Sequence, residues 1–200
     1  MGLSLSTLSR RSHTIAVAIV VHALALMCAA PSNAAAADGA AAAPAREYEI
    51  KAAFLYNFTK FVDWPAATFA DAGAPIVIGV LGDSPCAQAL ERLVKDRKVN
   101  GRTILVRPVA SAEEAKLTQL LFVGSAHEAR FAGLKPAIES LPVLTVGESP
   151  GFVSLGGAVN FVPQGDKIRF EINIGVAERA GLKISSQLQK LAIVVHRSPT

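Results

Sequence analysis

Short β-branched apolar runs recur along this chain between segments that carry helix caps, and that alternation limits the folds open to it. Ile76 to Leu81, Thr103 to Val109, Leu120 to Val123 and Pro142 to Val146 each read as a strand. The first is apolar without interruption, the pattern of a strand buried on both sides. Between the runs lie helical stretches. Ser84 is a good N-cap with Pro85 at the first helical position, and the helix that follows carries Ala89, Leu90, Leu93 and Val94. Ser111 with Glu114 three residues on opens a short helix to Leu117. A further helix falls near His127 to Ser140, and Asn100-Gly101 marks a turn before the second strand. Strand–helix alternation predicts an α/β fold: a mostly parallel sheet with helices on both faces.

The two ends of this region differ from its middle. Arg46 to Val62 reads as a helix stopped by Trp64-Pro65, because a residue before proline avoids the helical region. Ile50, Phe54, Phe58, Phe61 and Val62 form one apolar face, and Tyr48, Leu55 and Tyr56 add apolar surface elsewhere. Such a crowd of aromatics suits either a core helix or a surface for a partner or a second copy. Near the C-terminus, Val159 to Phe161 and Ile168 to Ile172 flank Gln164-Gly165-Asp166-Lys167, an antiparallel hairpin expected at the sheet edge. Phe161, Ile168, Phe170 and Ile172 are its inward candidates. Val176 to Ala180 is a short helix ended by Gly181. Ser186 with Gln189 suggests the cap of a last helix along Ile184, Leu188, Leu191 and Val195.

Ahead of all this stands an export signal. Arg10 and Arg11 precede an apolar run from Ile15 to Met27, and Ser32 and Ala34 are small residues at the −3 and −1 positions of a cleavage site. The run is shorter than the roughly 20 residues of a membrane-spanning helix. The domain reading is therefore a signal peptide over 1–34, a flexible Ala-rich leader over 35–45 and a single α/β domain over 46–200. Such a signal implies export across a membrane. Hydrophobic residues at 51% against 18% charged exclude a disordered chain, and a net charge of +4, half of it in the signal, gives no nucleic-acid footprint. Of the two cysteines Cys28 belongs to the signal, so Cys86 alone survives and an internal disulfide is excluded.

Reactive apparatus is scarce. His127 and His196 sit in different elements, and no His-x-His, His-Glu-x-x-His or Cys-x-x-Cys spacing occurs. No Gly-x-Ser-x-Gly elbow appears. These absences predict no catalytic residue, no metal and no cofactor. Two glycine turns follow strands and lack the complete phosphate-binding fingerprints. Both read first as structural turns; in the alternative reading Gly82 and Asp83 in one, and Gly147 and Glu148 in the other, are candidate ligand-turn residues at the carboxyl edge of a parallel sheet. Cys86 falls at the second helical position behind Ser84, where the helix terminus favours a thiolate, but the preferred reading is a small buried side chain, because free cysteine is usually buried.

Several segments, in order, carry a family resemblance. They are Tyr56-Asn57-Phe58-Thr59-Lys60-Phe61-Val62-Asp63-Trp64-Pro65, Ile78-Gly79-Val80-Leu81-Gly82-Asp83-Ser84-Pro85, Leu121-Phe122-Val123-Gly124, Val143 to Phe152 with Gly156-Gly157, Arg169-Phe170-Glu171-Ile172-Asn173, and Ala180 to Ser186. Together they resemble the periplasmic YfiR family from about Glu47 to Val195. The resemblance implies a repressor that docks on the periplasmic sensor region of a membrane-bound diguanylate cyclase. It keeps cyclic di-GMP, and with it biofilm output, low. It also implies an outer-membrane-linked protein that can sequester the repressor. The disulfides of the best-known member have no counterpart beside the lone Cys86. The interface expected on the exposed side of the first helix is Tyr56, Lys60 and Trp64. The alternative function is a periplasmic small-molecule-binding receptor.

Overall fold

A computed structural model of the chain describes residues 34–197, with side chains from Ala45 onward. The expected export signal, apart from Ala34, lies outside the described residues. Residues 43–200 make one compact unit; of the other, Met1–Ala42, only helical backbone from Ala34 is described. Helix α1 runs from Ala34 to Phe61. The stretch expected to be a flexible leader is thus helical backbone. Alanine is the strongest helix former, so a helix begun further on extends into it despite Pro44.

After α1 come β1 (Val62–Asp63), β2 (Ile76–Leu81), α2 (Pro85–Val94), β3 (Lys98–Val99) and β4 (Arg102–Val109). Then follow α3 (Ala112–Lys116), β5 (Leu120–Val123), α4 (Glu128–Ile138) and β6 (Leu144–Gly147). The last elements are β7 (Val159–Gln164), β8 (Lys167–Asn173), α5 (Ile174–Arg179), β9 (Lys183–Ile184), α6 (Ser186–Leu191) and β10 (Val194–His196). Eight strands form one sheet in the order β10-β8-β7-β6-β5-β2-β4-β3. Pairing is parallel at every junction except β7–β8 and β3–β4. β1 and β9 form a separate antiparallel pair.

The sheet is covered on both faces, as its patterning requires. In β5, Leu120 and Phe122 join one apolar cluster, while Leu121 and Val123 join a second. Side chains alternate across a strand, so the two clusters lie on opposite faces. Helices α1, α2, α5 and α6 feed the first, and α3 and α4 the second. Fully buried Phe58 of α1 meets Phe161 of β7 at 5.9 Å, nearly stacked, and Phe170 of β8 at 5.2 Å, edge-on. Each such ring stabilises by about 1.5–3 kcal/mol through burial alone. That contact fixes α1 against the hairpin.

Three expectations are corrected at the C-terminal end. The hairpin does not form the sheet edge, because β10 pairs in parallel outside β8 with Val194 opposite Glu171. Val195 therefore lies on a strand rather than on the last helix. The cap of that helix is Ser185, whose Oγ accepts the Leu188 N–H at 3.2 Å, and not Ser186. At the other edge the Asn100-Gly101 turn holds, with φ of 51° and 81°. Positive φ at both central residues lets so tight a hairpin follow the twist of β3 and β4.

Candidate functional site

Helix α1 enters the domain at the carboxyl ends of β2, β5 and β6 and there buries a charge. The Lys51 ammonium is 2.5 Å from Glu148, which follows β6, and 2.5 Å from Glu47 one turn earlier on α1. Lys51 is 4% exposed. The second oxygen of Glu148, Oε1, accepts the Ser125 N–H at 3.1 Å, so this one carboxylate ties α1 to the segment after β5. Burial pushes the Lys51 pKa down, but the Glu148 and Glu47 carboxylates outweigh it and the net direction is up. The amine stays protonated and is no nucleophile. Tyr48 is pushed up by burial and then by Glu148.

Cys86 lies near the same charges. Burial pushes its thiol up to about 12, Glu148 adds to the rise and Lys51 opposes it. Its backbone N–H donates to Ser84 Oγ at 3.2 Å, as the expected cap requires. The side chain is fully buried, so the inert reading holds against the thiolate reading.

The candidate ligand turns flank this cluster. Gly147 is buried and offers nothing to a ligand, because the Phe152 ring occupies the space beside it and a Cβ would come within 2.3 Å of that ring. Glu148 is committed to Lys51 and Ser125. At the other turn the His127 ring lies against Gly82. Gly82 and Asp83 border two depressions of about 540 and 350 Å³. The structure therefore brings Glu148 to the crevice as an internal ligand for Lys51, and leaves Gly82 and Asp83 at its rim.

The expected interface residues sit at the opposite, amino ends of the strands. Trp64 is half-buried, and its Nε1–H donates to the Gln119 carbonyl at 3.0 Å. The Gln119 side chain in turn accepts the Val77 N–H at 2.7 Å. Lys60 and Asp63 are exposed. Tyr56 is not, and the reading of it as an exposed contact is corrected: it is 8% exposed. Lys60 Nζ stands 4.1 Å from its ring centroid and Arg97 Cζ 5.3 Å. Burial acts to raise the Tyr56 pKa, but those two cations outweigh it and hold the phenol below its usual value. The ring packs with the apolar core while its face carries the cations.

Lys51 escaped the sequence reading. The available signal was a lone charge within Ile50 to Thr59, one helical turn after Glu47. His196 also has a partner, Glu171 of β8, at 3.0 Å. Among the described residues no three His, Cys, Asp or Glu side chains converge as a metal site, and no helix is long and apolar enough to cross a membrane.

No curated protein matches the chain. Among solved structures, it is similar to the ABC domain in complex with L-Trp from Streptococcus pneumonia, at 16% identity and TM-score 0.45, over 60% of this chain and 55% of that one. It is also similar to a conserved domain protein from Vibrio cholerae O1 biovar eltor, at 15% identity and TM-score 0.39, over 60% of this chain and 54% of that one. The chain thus spans a little over half the length of each. The sequence model of the YfiR/HmsC-like family, by contrast, matches residues 48–193, from the aromatic start of the buried part of α1 to the residue before β10. With that match over most of its length, the chain belongs to the YfiR/HmsC-like family.

Proposed function

We propose that this protein is a periplasmic regulatory binding protein. It represses a membrane-bound diguanylate cyclase by docking on the cyclase's periplasmic sensor region, and it lowers cyclic di-GMP and biofilm output. The family match over residues 48–193 is the observation that carries this reading. The export signal in the sequence supports the compartment. Repression works through differential affinity: the protein favours one state of the sensor region only as far as it binds that state better. A coupling of about 1–3 kcal/mol is typical of such regulators. An outer-membrane-linked partner that captures the repressor removes the same coupling.

The docking surface is the corner where α1 meets β1. Lys60 and Asp63 offer exposed charges there, and half-buried Trp64 lies beside them with its indole N–H fixed on Gln119. Tyr56 contributes by holding Lys60 over its ring rather than by contact. The test is a gene-deletion strain of the native host complemented with wild type or with Lys60→Glu/Asp63→Arg, a pair of exposed changes that spares the core. Deletion is expected to raise cyclic di-GMP, wild type to restore the low level, and the double variant to leave it high at an unchanged Tm. Wild-type cyclic di-GMP after deletion overturns the function. Full repression by the double variant overturns the surface assignment alone.

A further inference from the structure

β10 closes one edge of the sheet with little to hold it there. The strand is three residues long, and within it only Val195 packs against the apolar core. Val194 is exposed, and so are Leu191 and Ile193, which lead into it. The Ile193 N–H donates to the Phe170 carbonyl at 2.9 Å, and the parallel ladder then runs to His196 opposite Asn173. A short ladder with few buried apolar contacts marks a segment that opens locally. The family match stops at residue 193, so β10 lies outside it.

A side-chain pair ties this strand to the sheet. His196 Nε2 lies 3.0 Å from Glu171 Oε2 of β8. The other oxygen of Glu171 accepts the Asn160 Nδ2–H at 3.2 Å, so the carboxylate accepts on both sides and the imidazole is the donor. Asn160 is buried in β7 directly opposite Glu171 and fixes that carboxylate from within the sheet. The other charged groups nearby are exposed. Arg169 lies two residues before Glu171 on the same face of β8, and Arg197 follows His196 and alternates to the far face. Among the described residues neither arginine forms an ion pair with Glu171. α5, which packs on β10, carries Glu178 and Arg179 in its last turn. An ordinary histidine changes charge near pH 6.5, and a charge-assisted hydrogen bond is about twice as strong as a neutral one.

We propose that β10 is a proton-operated strap: the charged His196–Glu171 pair holds it on β8, and loss of the histidine proton lets it lift from the sheet edge. Linkage sets the direction, since docking that favours proton uptake is strongest at low pH and fades as pH rises through the histidine range. Lifting bares the backbone groups of Phe170 to Asn173 along the outer edge of β8. The experiment is amide hydrogen exchange of the purified protein by NMR at pH 5.5 and pH 8.0, each rate corrected for its intrinsic pH dependence. The Ile193 N–H reports the strap, and the Leu144 N–H, which donates to the Gln119 carbonyl at 2.9 Å within the sheet, is the control. Protection of Ile193 is expected to be about threefold or more higher at pH 5.5 than at pH 8.0, with Leu144 unchanged. His196→Gln and Glu171→Gln, which keep polar side chains but not the ion pair, are expected to abolish the difference. Equal protection of Ile193 at the two pH values overturns the proposal. A difference that persists in His196→Gln, or one that Leu144 shares, overturns it as well. None of these outcomes bears on cyclic di-GMP repression.

Discussion

At the scale of the residue, Cys86 shows how burial overrides a helix terminus. Position alone, the second residue of α2 behind the Ser84 cap, predicts an acidified thiol. Enclosure in the core reverses this and pushes the thiol from 9.0 up to about 12. The consequence for stability has a definite sign. Above pH 9 the unfolded chain sheds the thiol proton while the folded chain keeps it, so the folded state binds more protons and stability falls as pH rises towards 12. Lys51 and Tyr48, also raised, act in the same sense, and Tyr56, lowered, in the opposite one. The expected result is a urea midpoint that declines from pH 9 to pH 11 less steeply in Cys86→Ala than in wild type. Parallel declines would contradict the assignment. The sequence places Cys86 on its helix and favours burial from the usual habit of free cysteine, but the extent of that burial depends on the sheet and helices that pack around it.

Among the elements, those written in local chemistry were legible and those made by remote pairing were not. Strands β2 and β5 have the limits their apolar runs suggest, and Ser84 and Ser111 cap α2 and α3 as their spacing implies. By contrast β1, β3 and β9 are only two residues long and carry no periodicity to read. β10 continues an apolar line that fits a helix equally well; it is a strand because β8 offers it an edge, with the Ile193 N–H donating to the Phe170 carbonyl at 2.9 Å. Ser185 and Ser186 are adjacent and equally suited to cap α6, and the choice follows from the anchoring of Ser185 N–H on the Phe61 carbonyl at 2.9 Å. Ser185→Ala is expected to cost about 1 kcal/mol in chemical denaturation, and Ser186→Ala only a few tenths. Equal costs would return the cap to an ambiguous position.

For the whole molecule, the parallel sheet covered on both sides was legible because uninterrupted apolar strands have few other homes. The charged link between α1 and the crevice was not, because nothing near Lys51 in sequence announces Glu148. The two residues are 97 apart in the chain, so their contact closes most of the domain into one loop. A contact of that span is made late, after the sheet has brought its ends together. Its loss therefore falls on the rate of unfolding and spares the rate of folding. Lys51→Met leaves a buried carboxylate without its counter-charge and is expected to destabilise by about 3–5 kcal/mol. In stopped-flow measurements that loss should appear in the unfolding limb, with Lys51→Met/Glu148→Gln recovering much of it. A folding limb slowed to the same degree would mean that α1 docks early. The buried lysine is thus expected to act as a kinetic clasp: it sets how long the assembled fold persists rather than how fast it forms.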